Sequence, residues 1–111
     1  MAKFLLLLEG LAAQPSASDE RTRAYNRKWI EWIGSLVQAG TLESGLPLTP
    51  TAKEVTRDSV QDRQLQTEDI YGYLLVNAPS LDAVVDLVRQ APHTELGGKT
   101  IIRPCQDVPT G

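Results

Sequence analysis

Cysteine is nearly absent from this sequence. The one thiol, Cys105, has no partner within the chain, so no internal disulfide can form and a reducing compartment is expected. Long apolar runs are missing too. Near the start, Lys3 precedes the short run Phe4 to Leu8, which Glu9 and Gly10 then break. That run falls below the ~7–15 residues of a signal-peptide core and far below a membrane span, so a cytoplasmic location without membrane contact is expected. Positive charge is not in excess. Eleven Lys and Arg against 14 Asp and Glu leave a net charge of -3, which argues against nucleic acid as a partner. The scarcity of histidine and cysteine, one of each, excludes a zinc-type ligand set, and Asp58 and Asp62 lack the spacing of a calcium loop; no metal is expected. Gly97-Gly98 belongs to no phosphate-binding motif, and no cofactor is expected.

What is present is the pattern of a small α+β domain. At 111 residues the chain supports a single domain over 1–111, with residues 106–111 expected to be a frayed tail. Phe4, Leu6 and Leu8 alternate with Leu5 and Leu7, so this first strand is apolar on both faces and belongs in a sheet covered on both sides. Gly10 to Ala17 reads as a loop. Ser18 is placed to cap a long helix whose apolar stripe comprises Tyr25, Trp29, Trp32, Ile33, Leu36 and Val37, and Gly40 ends it. Leu42 to Pro50, interrupted by Gly45, Pro47 and Pro50, is at best an edge strand. A further strand is expected over residues 52–56, then a polar, aperiodic loop or loose hairpin over 57–69, then a strong strand from Ile70 to Val76. Ser80 caps a second helix with Leu81, Val84, Val85, Leu87, Val88 and Ala91 inward, Pro92 stops it, and Lys99 to Arg103 forms the last strand.

This order of elements predicts a ferredoxin-like split βαβ sandwich with helices on one face of the sheet. The helices cover only one side of the first strand. A second copy covering the other, to form a homodimer, is the simplest expectation, because each leucine left bare forfeits ~1.5–3 kcal/mol.

Several stretches occur in an order that resembles the YCII-related proteins, most closely their DGPF branch. They are Lys3 to Leu8; Ile30-Glu31-Trp32-Ile33-Gly34 through Ala39-Gly40-Thr41-Leu42 to Gly45-Leu46-Pro47-Leu48; and Gly72-Tyr73 through Ser80-Leu81-Asp82-Ala83 to Pro92-His93, Gly97-Gly98 and Arg103-Pro104. The resemblance implies a dimeric α+β barrel in which two ferredoxin-like protomers pack sheet against sheet. The wider superfamily includes muconolactone isomerase-like and dehydrochlorinase-like enzymes. Two departures stand out: the Asp-Gly-Pro-Phe segment is missing between Arg57 and Asp69, where only Glu68 matches, and the first helix lacks the histidine of the stand-alone branch.

His93 is the candidate catalytic residue, since imidazole can carry protons near neutral pH; its alternative is a turn histidine satisfied by water. Glu68, Asp69, Tyr71 and Tyr73 cluster at the start of the strong strand and are candidate ligand-binding residues, as is Arg103, whose guanidinium could hold a carboxylate. The two departures favour a non-catalytic ligand-binding or regulatory interaction module with a cleft between sheet and partner. The alternative is a cofactor-free lyase, isomerase or hydrolase acting on a small aromatic or carbonyl compound, with His93 as general acid/base.

Overall fold

The computed structural model describes residues 1–10, 19–66 and 69–107. The expected loop over 11–17, the Ser18 cap, Glu68 and the tail from Val108 lie outside the described residues. The described elements run β1 (Ala2–Glu9), α1 (Asp19–Gln38), β2 (Leu42–Pro47), β3 (Thr51–Val55), β4 (Val60–Gln64), β5 (Ile70–Ala78), α2 (Leu81–Arg89), a one-turn helix α3 (Pro92–Glu95) and β6 (Lys99–Pro104).

The main sheet has the order β2-β5-β1-β6, with every neighbouring pair antiparallel. Each β-α-β crossover therefore skips one strand, which is the ferredoxin-like arrangement expected from the element order. The first strand is central and apolar on both sides. Phe4 and Leu6 are buried with Leu74, Val76, Trp32, Leu36 and Val84, Leu8 is buried on the same face beside the cleft, and Leu5 and Leu7 occupy the opposite face and are half-buried. On that open face the register sets Leu46, Tyr73, Leu7 and Ile101 in one row across all four strands.

The helices begin and end where local chemistry requires. Gly40 has φ 72°, and Thr41 N–H and Gly40 N–H donate to the Leu36 and Val37 carbonyls, closing α1 with a Schellman motif. The Ser80 hydroxyl accepts from Ala83 N–H at 3.2 Å to cap α2. The buried stripe of α1 centres on Trp32 and Leu36, with Trp29 and Ile33 packed against it; Val37, expected on that stripe, is 58% exposed. Leu81, expected inward on α2, is also exposed, because it sits at the first helical position beyond the edge of the core. Within the polar stretch after Arg57, β4 pairs with β3 as a hairpin separate from the main sheet. Every β4 residue is exposed, so no apolar alternation marked it as a strand.

Candidate functional site

The sequence at the start of β5 places a bulge where chemistry can use it. Leu8 pairs with Gly72 and Glu9 with Ile70, so Tyr71 is the extra residue between two ladder positions. A bulge of this kind re-aims its side chain. Tyr71 turns in to pack edge-on against the His93 ring, with centroids 5.2 Å apart, and it is buried.

His93 is 0% exposed, which overturns the expectation of a solvated turn histidine. Pro92 starts the one-turn helix α3, and the chain then folds back through Gly98 onto the imidazole, so close that any Cβ at residue 98 would overlap the ring. The ring's Nε2 lies 2.7 Å from the Lys99 carbonyl, and a carbonyl can only accept. Nε2 therefore carries the proton, and in the neutral ring Nδ1 accepts from the Tyr71 hydroxyl. Burial, and then the adjacent Tyr25 hydroxyl, push the Tyr71 phenol well above its ordinary range, so it stays protonated at neutral pH.

Tyr25 and Tyr71 both line a cleft of about 500 Å³ between α1 and the β2-β5 edge of the sheet. Trp29, Ile33, Leu42, Leu74 and the segment Gly45 to Leu48 supply most of its wall, and Thr22 and Asn26 add polar atoms from α1. Trp29 is held edge-on by Trp32 at 5.4 Å and tilted against Tyr25 at 6.1 Å, a ladder of rings along the helix.

The candidate residues divide. Tyr71 and His93 are brought into contact, and Tyr73 borders the cleft although its register with Leu7 sets it on the open face of the sheet. Asp69 instead accepts from Gln66 N–H at 2.5 Å and sits 3.6 Å from Arg63, bracing the base of the hairpin. Arg103 pairs with Leu5 in the register and is exposed, so it lies off the cleft. Tyr25, expected only as part of the α1 core stripe, is a cleft residue that the sequence does not mark as functional. Its spacing on α1 is that of a packing residue, and nothing local connects it to Tyr71.

The raised Tyr71 pKa has a consequence for stability. The folded protein holds this phenolic proton more tightly than the unfolded chain, whose tyrosine titrates near 10. Its contribution is complete below about pH 10 and is lost as pH rises above that value, at up to ~1.4 kcal/mol per pH unit. Denaturant melts between pH 8 and 11 should show the wild type losing stability faster than Tyr71→Phe. Parallel curves would mean the hydroxyl ionises freely.

No helix among the described residues is long and apolar enough to cross a membrane. No protein-family model matches the chain, and no curated protein is significantly similar to it in sequence. Among solved structures, the chain is similar to TftG, the 5-chloro-2-hydroxyhydroquinone dehydrochlorinase from Burkholderia phenoliruptrix AC1100, in its complex with 2,5-dihydroxybenzoquinone. The TM-score is 0.58 at 20% sequence identity, over 94% of this chain and 93% of that one. The likeness establishes the fold: this chain is an α+β, ferredoxin-like sandwich of the architecture found in that enzyme.

Proposed function

We propose that the protein is a cofactor-free enzyme moving protons on a small aromatic or carbonyl compound, a divergent relative of the YCII-related proteins working in the cytoplasm. The observation that carries this reading is the buried Tyr71–His93 pair behind an aromatic cleft. The Tyr71 hydroxyl gives its proton to His93 Nδ1 in a hydrogen bond and keeps oxygen lone pairs free to accept another. An enol or phenol O–H at the floor of the cleft can pass its proton to the Tyr71 oxygen while the Tyr71 proton moves to Nδ1, leaving a transient oxyanion whose charge is balanced by the imidazolium behind Tyr71. The imidazolium so formed has both N–H groups donated, one to Tyr71 and one to the Lys99 carbonyl. The reverse movement returns a proton to carbon or oxygen. Tyr71 remains a neutral phenol at both ends of the relay, which suits a group whose burial disfavours phenolate. His93 thus acts as acid and base through Tyr71 rather than by touching the substrate. The same fold in a dehydrochlorinase bound to a hydroxyquinone supports this reading over a non-catalytic module.

The test is deuterium exchange from D2O into a panel of small phenols and enolisable ketones, followed by proton NMR. Removing a general acid–base group costs ~10²–10⁴ in rate, so Tyr71→Phe should lose exchange by that factor for whichever compound responds. If no compound exchanges faster with wild type than with the variant, the reading is wrong.

The quaternary reading belongs to the same proposal. The open sheet face carries Leu5, Leu7, Tyr73, Leu75, Leu46 and Ile101, and a second copy packed sheet to sheet would cover it as a homodimer.

A further inference from the structure

Three buried side-chain polar atoms among the described residues have no hydrogen-bond partner: Tyr25 Oη, Trp32 Nε1 and Thr100 Oγ1. Leaving such a group unpaired forfeits its hydration with nothing in return, so each calls for a reason. Trp32 and Thr100 do not line the cleft; Tyr25 does. Its neighbour Tyr71 has its proton committed to His93, so the Tyr25 hydroxyl is the free donor at the aromatic end of the cleft. A second observation concerns charge. Of the described residues lining the cleft, none is Asp, Glu, Lys, Arg or His. An anion placed there would lose its hydration with no countercharge from those walls, whereas a neutral ring would bury its faces against Trp29 and the leucines.

We infer that the cleft selects an uncharged ring compound bearing a hydroxyl or carbonyl oxygen, and that the Tyr25 hydroxyl is the residue that selects it by donating to that oxygen. The inference rests on the cleft being the working site, as proposed above, but it concerns binding and not proton transfer. In the empty protein the Tyr25 hydroxyl has only the neighbouring Tyr71 hydroxyl beside it, without a well-formed hydrogen bond, and a ligand oxygen would complete one.

The test uses phenol, benzoate and toluene at pH 7, titrated into the wild type and Tyr25→Phe while the indole N–H resonances of Trp29 and Trp32 are followed by NMR. Phenol should shift Trp29 saturably and bind at least about tenfold more tightly than benzoate. Tyr25→Phe should weaken phenol by about three- to tenfold, the loss of one neutral hydrogen bond, and leave toluene unchanged. The same substitution should leave the thermal midpoint of the empty protein equal or higher, which a hydroxyl with a structural role would not do. Benzoate binding as well as phenol, no phenol binding at millimolar concentration, or a Tyr25→Phe variant with undiminished phenol affinity would each overturn the inference. Selective phenol binding without deuterium exchange would leave it standing and remove the proton-transfer reading instead.

Discussion

His93→Ala is expected to lower the unfolding free energy by ~3–5 kcal/mol, close to the upper end for a single substitution in a domain of this size. Three losses combine. The imidazole is fully buried, so truncation opens a cavity against the Tyr71 ring and Gly98. The Tyr71 hydroxyl loses its acceptor, and the Lys99 carbonyl loses the Nε2 donor that reaches it at 2.7 Å. Each stranded polar group adds its own desolvation cost. A turn histidine in water would cost no more than ~0.5 kcal/mol, the range of surface substitutions. Urea melts separate the two cases directly. His93→Phe is the companion variant: it restores most of the volume but neither hydrogen bond, so it should recover only part of the loss. A change under 1 kcal/mol for the alanine variant would mean that the Tyr71–His93 contact does not exist in solution.

The second large effect is on association. Wild-type protein at micromolar concentration should sediment at about twice the chain mass of 12.2 kDa, and Leu7→Asp should sediment as a folded monomer. Leu7 lies in the middle of the row Leu46, Tyr73, Leu7, Ile101, on the sheet face away from the helices. Leu46 is 62% exposed and Ile101 41%, so the row is open to a partner in the isolated chain. A carboxylate trapped between two such faces would cost several kcal/mol, more than most dimers can lose. In the separated protomer the same carboxylate faces water, and the core on the other side of β1, with Leu6 and Val76 fully buried, is untouched. The far-ultraviolet dichroism of Leu7→Asp should therefore match the wild type. A monomeric wild type at that concentration would defeat the homodimer.

Much of the fold was legible from local sequence, for reasons visible in particular residues. Ser80 and Gly40 act on their own backbone neighbours, so their capping roles survive into the structure unchanged, whereas Pro92, expected to stop α2, instead opens α3 after α2 has ended at Arg89. Strand β4 was not legible, because a ribbon wet on both faces carries no apolar period. The candidate site was legible only in pieces: Tyr71 and His93 were each identifiable as chemically able, but nothing near either residue announced that they touch.

The sequence by itself determined the order of the four main-sheet strands and the two longer helices, the caps at Gly40 and Ser80, and the two-faced first strand, since these depend on spacing, caps and residue type within a few positions. Only the tertiary structure decided which face of β1 lies beneath the helices, because a period of two marks two sets without ranking them. It also decided that the β5 bulge turns Tyr71 inward, that the chain after α2 folds His93 out of water against it, and that Tyr25 on α1 and Tyr71 line one cleft. Those outcomes come from packing elements distant in the chain, where the energy of burial and of pairing buried polar groups overrides anything a local pattern can specify.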